Sequence, residues 1–177
     1  ALVAAVAATA ESNTNVRAVV RLYRAYYLRN PDHGGLKHWI RQRQLGTSLS
    51  QISNQFAAAP EFALRYGYVD DAEFVDLVYG NVLDRGPDAG GRAYWIGLLG
   101  KGLYRGQLMT KFSESGEFVR KSSGIVTAVH IYDSLFQQSI PRGLSDSYGP
   151  SLLSGRTTPE ELAETLMGSA KYTSRFT

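Results

Sequence analysis

The sequence predicts an all-α protein made of tandem three-helix repeats, packed into a compact or short solenoid-like array. Three observations carry this. The chain resembles itself at a shift of 56, with no gap. Apolar residues recur at helical spacing within each repeat. Pro, Asp and Gly fall where helices start and stop, while strand-type alternation is short everywhere.

At that shift, Tyr23 falls on Tyr79, Arg29 on Arg85, Pro31-Asp32 on Pro87-Asp88 and Gly35 on Gly91. Trp39 falls on Trp95, Phe56 on Phe112 and Glu61-Phe62 on Glu117-Phe118. A weaker third repeat lies at a further shift of 53, with Tyr132 on Tyr79, Tyr148 on Trp95 and Gly155 on Gly102. After one inserted residue Leu166 falls on Phe112 and Tyr172 on Phe118. The divisions are an apolar arm at 1–14, then repeats at 15–66, 67–120 and 121–177. An atypical last repeat is expected where repeats stack, because it faces solvent.

The arm, Ala1 to Ala10, is apolar, and Ala8-Thr9-Ala10 fits a signal-peptidase site. Two readings are open: a signal-peptide remnant, or a mature arm packed on its own domain or a neighbour. Leu2, Val3 and Val6 are its candidate assembly residues. The first helix of repeat one spans about 15–28, with Val16, Val19, Val20, Tyr23 and Tyr27 as its stripe. Its counterparts near 72–84 and 125–138 use Phe74, Leu77, Val78 and Val82, and then Val129, Tyr132, Leu135 and Phe136. The second helix is predicted with Asn30 as cap, Pro31 at the first helical position and Asp32 at the positive end of the dipole. Trp39 then faces inward. Gly34-Gly35 and Gly90-Gly91 lie in first turns, where glycine costs stability. Close approach of the first helix is the expected reason. The third helix starts at Thr47 or Ser48, with a capping box to Gln51. Thr158, Pro159 and Glu161 repeat that grammar. A short turn from Pro60 buries Phe62, and Gly46, Gly67, Gly102 and Gly155 read as helix stops.

At 177 residues the chain is about one average domain, or a few small ones. It has no cysteine, so disulfides, thiolate metal sites and cysteine nucleophiles are excluded. Residues 1–66 carry eight Lys/Arg against three Asp/Glu, and residues 67–120 six against eight. Residues 121–177 carry five of each. A basic part followed by an acidic one suits head-to-tail contacts, or the basic part an anionic polymer.

The second repeat reads Val78-Tyr79, Asp84-Arg85-Gly86-Pro87-Asp88-Ala89-Gly90-Gly91, Tyr94-Trp95 and Ser115-Gly116-Glu117-Phe118. This pattern resembles the bacterial family called domain of unknown function 4214. The first repeat departs from it at Leu28 and Ala59. The resemblance implies helical modules in exported or surface bacterial proteins, often joined to catalytic or adhesive domains. The implied fold is similar to that of phycobilisome linker domains, which hold protein assemblies together.

Chemistry finds little support in the residues. His33 and His38 are five apart, and no His-Glu-Xaa-Xaa-His run exists. Asp84 and Asp88 fail the spacing of a calcium loop. Glu61 and Glu117 are equivalent repeat positions, which suits a structural role better than an asymmetric acid/base pair. No cofactor, metal or catalytic residue is therefore expected. Binding has more to draw on. Arg17, Arg21 and Arg24 share a face of the first helix, and Lys37 and Arg41 lie four apart on the second. These five are candidates for an anionic ligand or partner. Tyr26, Tyr66, Tyr68 and Tyr104 fall off the clearest core phases and are candidates for exposure. The expected function is a non-catalytic, extracellular or cell-surface assembly module that contacts itself or another envelope protein. The alternative is binding of cell-wall or anionic extracellular polysaccharide. Nucleic acid is not expected as a partner, and no apolar run is long enough for a membrane span.

Overall fold

Local capping chemistry sets most of the helix boundaries. The computed structural model describes residues 2–176, apart from the side chains of residues 10–12. Ala1 and the side chain of Ala10, both in the predicted arm, lie outside the described residues. In chain order the helices are α1 (Leu2–Ser12), α2 (Thr14–Tyr27), α3 (His33–Gln44), α4 (Leu49–Ala57) and α5 (Pro60–Tyr66). Next come α6 (Asp71–Val78), continued by a wide π-type turn over Tyr79–Leu83, then α7 (Ala89–Gly100) and α8 (Arg105–Ser113). The last are α9 (Gly116–Phe136), α10 (Arg142–Leu153), α11 (Pro159–Met167) and α12 (Ala170–Thr173). All regular structure among the described residues is helical.

Moved on by 56, the bounds of α3 coincide with those of α7, and those of α4 with α8. Moved on by 53, α7 coincides with α10; moved on by 54, α8 coincides with α11. The left-handed positions recur in step. Leu28, Asp84 and Gln137 each have φ 53°, and Gly46, Gly102 and Gly155 have φ 94°, 96° and 73°. A side chain in that region costs roughly 1–2 kcal/mol, less for Asp or Asn, whose short polar group bonds locally. The first Asp of the motif, Asp84, thus stands at a position with a backbone demand, and Leu28 meets the same demand with a poorer residue.

Ser48 with Gln51 and Thr158 with Glu161 form the predicted capping boxes. Asp70 with Glu73 forms another at α6. The predicted cap of the second helix moves. Asp32 Oδ1, not Asn30, accepts from the Gly35 N–H at 2.7 Å, and Asp88 Oδ1 accepts from the Gly91 N–H at 2.8 Å. Pro31 and Pro87 therefore precede the caps, and α3 and α7 start later than expected. The helix expected near 125–138 also differs, since α9 already starts at Gly116. In repeat one Gly67 stops the chain at φ 70° and Asp70 recaps it. The counterparts in the next repeat are Ser123 and Val126, which supply neither device, so the helix runs on.

Contacts divide the chain into two compact units, each drawing on more than one repeat. The first comprises Ala1–Val20, Asn30–Ile40 and Arg120–Thr177; the second comprises Arg21–Arg29 and Arg41–Val119. The core of the second unit is aromatic. Phe56 lies against Tyr23, Tyr26 and Tyr27 with ring centroids 4.9–5.7 Å apart. Phe62, Phe74 and Phe112 extend it. Tyr26 is fully buried, against the expectation of exposure, and its hydroxyl lies 2.8 Å from Ser53 Oγ. Burial holds its phenol well above the ordinary value. The single-stripe reading failed because α2 is buried on nearly all sides from Ala18 to Tyr27, with Arg24 half-buried. In the first unit Ile131, Tyr132, Leu135 and Phe136 of α9 pack with Leu162, Ala163 and Leu166 of α11. Val3 and Val6 of α1, and Tyr148 of α10, join that cluster.

Candidate functional site

The five predicted cationic residues do not share one environment. Arg21 is buried at 6% exposure, and its Nε and Nη2 donate to the two carboxylate oxygens of Glu114 at 2.8 and 2.5 Å. It is a structural cation of the second unit and is corrected as a ligand-binding candidate. The helical face of Arg17, Arg21 and Arg24 was legible, but the burial of its middle member was not, because Glu114 lies 93 residues away. Arg24 is half-buried in that unit, and Arg41 is exposed. Lys37 is exposed in the first unit.

Arg17, also in the first unit, lines an open cleft of about 320 Å³. The other walls are Ser123, Gly124 and Thr127 of α9, Leu152 of α10 and Pro159 of α11. One guanidinium, two hydroxyls and two apolar side chains make a surface suited to a small anion with an apolar body. Gly124 brings α9 and α10 close: a Cβ there would meet the Gly149 carbonyl and lie 2.7 Å from the Leu153 amide nitrogen. Of these lining residues the sequence reading found only Arg17; hydroxyls on a helix carry no signal that they face a cleft.

The motif residues are spent on architecture. Asp32 and Asp88 cap helices, and the Gly91 amide holds the Asp88 carboxyl below its ordinary value. A Cβ on Gly91 would lie 2.8 Å from the Tyr79 hydroxyl and 3.1 Å from Asp88 Oδ2, which is the expected close approach. Pro31 is buried and Pro87 half-buried. Trp39 and Trp95 are both half-buried. Trp95 stands edge-on to Phe112 at 5.4 Å, and Trp39 edge-on to His38 at 4.6 Å. Arg29 and Arg85 differ. Arg29 donates from Nε and Nη2 to Glu61 at 2.7 Å each and lies over Tyr23 and Tyr27. Arg85 is exposed, with its guanidinium 5.8 Å from the Tyr79 ring centre.

In the arm, Val3 and Val6 pack on the α9–α11 cluster of their own chain, Ala7 is fully buried and Leu2 is 59% exposed. In the second unit Leu64, Tyr68, Tyr94 and Tyr104 are exposed. Tyr68 precedes the Asp70 cap of α6 by two residues, and Tyr104 immediately precedes Arg105 at the start of α8. Arg105 joins those two helix starts by donating to Asp71 Oδ1 at 2.8 Å. Tyr68 and Tyr104 therefore lie within three residues of the two partners of one ion pair.

His33 Nδ1 lies 2.6 Å from Asp133 Oδ1, and the His33 N–H donates to Ser139 Oγ at 3.0 Å. Among the described residues no group of three or more His, Cys, Asp or Glu side chains is placed to hold a metal ion. No helix of the described residues is long and apolar enough to cross a membrane.

A family model described as "Domain of unknown function (DUF4214)" matches residues 53–122. The match begins within α4 and ends within α9, and all but its last residues belong to the second unit. No curated protein and no solved structure matches the chain.

Proposed function

We propose that the chain is a non-catalytic structural and assembly module, secreted or displayed at a bacterial cell surface, that acts through protein–protein contacts. Its helices are read as three tandem three-helix repeats, supported by the coincident bounds at shifts of 56, 53 and 54. The observation that carries the functional reading is the exposure of Tyr68 at 93% and Tyr104 at 66%, each within three residues of a partner in the Asp71–Arg105 pair. Tyrosine and arginine are the residues that interfaces concentrate, and a large exposed ring without a role in folding points to a partner. One candidate carboxylate and the motif arginine favour the same side of the question, since Glu61 is engaged by Arg29.

The test is sedimentation velocity over a wide concentration range, with cross-linking to envelope proteins, on the native chain and on Tyr68→Ser/Tyr104→Ser. The reading expects association that the double variant reduces at least tenfold. Equal behaviour of the two chains would overturn the role given to these rings.

A second reading, binding of an anionic polysaccharide, is favoured by the cleft beside Arg17. It expects the chain to bind polygalacturonate, with affinity falling as salt rises. Arg17→Ala should weaken binding about tenfold. Salt-independent binding, or binding indifferent to Arg17, would count against it.

A further inference from the structure

We infer that α1 is the third helix of a further repeat, and that α11 is a docking face which a second copy of this chain fills by exchanging α1. The inference rests on the assembly reading and adds to it a contact with a second copy, made by α1 and α11 rather than by Tyr68 and Tyr104.

The third helix of each repeat has a fixed kind of neighbour. α8 lies against α4, its counterpart in the preceding repeat, in the most extensive helix pairing of the second unit. α11 is the counterpart of α8 in the last repeat, and its neighbour is α1. The sequence of α1 fits that place. Glu11-Ser12 and Val16-Arg17 repeat Glu114-Ser115 and Val119-Arg120 at a shift of 103. The same shift sets Leu2, the first residue of α1, on Arg105, the first residue of α8. In both places a short break then leads into the next helix, α2 or α9, with starts that agree within one residue. Third helices thus pair with third helices, and α1 supplies the one that α11 needs.

The hinge for exchange is Asn13. Its N–H donates to the Thr9 carbonyl at 3.0 Å, and its own carbonyl accepts from the Arg17 N–H at 3.1 Å. Both are helical i to i−4 bonds, so the ladder passes across the junction. What marks the break is the Asn13 side chain, whose Oδ1 accepts from the Val16 N–H at 3.1 Å. A change of backbone angles at this residue would join α1 to α2 as a single helix and carry Val3 and Val6 away from the α9–α11 cluster. The vacated face, with Leu162, Ala163 and Leu166, would then take α1 of a second copy through the same contacts. Because the contacts are identical in the closed and exchanged forms, the balance is set by the hinge and by concentration.

The chain has no native cysteine, so an engineered pair reports cleanly. Val6→Cys is combined with Leu162→Cys, Ala163→Cys and Leu166→Cys in turn, and each pair is oxidised at low concentration to hold α1 on its own α11. On concentration, the unlocked chain is expected to dimerise in sedimentation velocity and the locked chain to stay monomeric, with reduction restoring the dimer. Asn13→Ala, which removes the Val16 cap, is expected to raise the dimer fraction several-fold. A locked chain that associates like the unlocked one overturns the exchange and leaves the assembly reading standing. An unlocked chain that stays monomeric overturns the exchange, and with it self-assembly as the form of that reading. As a second measurement, a chain lacking residues 1–12 is expected to lose at least tenfold in hydrogen-exchange protection over α11. A synthetic peptide of residues 1–13 should restore it; a peptide without effect overturns α11 as a docking face.

Discussion

In one unit α8 lies against α4; in the other its counterpart α11 lies against α1. The two pairings use the same repeat position and different materials. α4 brings Phe56 into a nest of tyrosine rings, and α8 brings Leu108, Met109 and Phe112, all buried. Gly106 lets the helices approach until its amide donates to Asn54 Oδ1 at 2.8 Å. Of the described side chains of α1, Val3 and Val6 pack, partly buried, on the cluster that holds α11. Stabilisation scales with the apolar area removed from water, so the first pairing holds its unit together and the second can open at small cost.

The largest effect expected is from Phe56→Ala, which empties the centre of the aromatic nest. Roughly 3–5 kcal/mol should be lost, read as a fall in the denaturant midpoint. A loss under about 1 kcal/mol would mean that the pairing does not carry the unit. Next is Gly106→Val. Any Cβ at this position collides with the Asn54 backbone nitrogen and side chain. The cost is about 3 kcal/mol, since backbone rather than a flexible side chain must yield. A smaller enlargement in α1, at the buried Ala7, is Ala7→Val, which should cost only about 1 kcal/mol, because an arm hinged at Asn13 can shift outward. Equal costs would erase the distinction between fixed and exchangeable helices.

What was legible in the sequence follows from the range of each interaction. Ser48 with Gln51, Thr158 with Glu161 and the glycine stops act within a turn or so of helix, and each stands where the spacing placed it. The cap of α3 was displaced from Asn30 to Asp32, because Asn30 and Pro31 satisfy the same local grammar as Asp32 and only the Gly35 amide decides between them. Tyr26, Arg21 and the arm were out of reach for another reason. Their partners, Ser53, Glu114 and the α11 cluster, lie far along the chain, and no local pattern names them. The candidate site suffered most, since the cleft beside Arg17 is made by four separate helices.

Arg21→Met probes a smaller term in the second unit. It leaves Glu114 without its cation, but that carboxylate is 31% exposed and can be partly rehydrated. The expected loss is about 2 kcal/mol, below that of a fully buried pair broken on one side. Leu28→Asn should act in the opposite direction. Leu28 is exposed and left-handed, where the next repeat has Asp84. Asparagine tolerates that backbone better, so a gain of about 1 kcal/mol is expected in the thermal or denaturant midpoint. A destabilised variant would show that the Leu28 side chain matters more than its backbone.

The smallest effect separates the two pairings by pH. Two carboxyls of the second unit titrate below the ordinary value of 3.8: Asp88, chiefly through the Gly91 amide, and Asp76, chiefly through its bond from Arg92. A carboxyl with a lowered folded value stabilises the fold fully above its unfolded value. That contribution fades as pH falls through the unfolded value and then the folded one. Hydrogen exchange in α7 should therefore quicken as pH drops from about 6 towards 2, after correction for intrinsic rates. Asp88→Asn is the sharper probe, because asparagine also caps a helix but carries no titrating proton. It should keep α7 protected at neutral pH and flatten the acid dependence. Val3 and Val6 dock through apolar contacts, so protection of α1 should respond to concentration more than to acid. If protection of α1 fell with acid as far as that of α7, the acid response would not be local to Asp88 and Asp76, and the distinction drawn from the α1 contacts would fail.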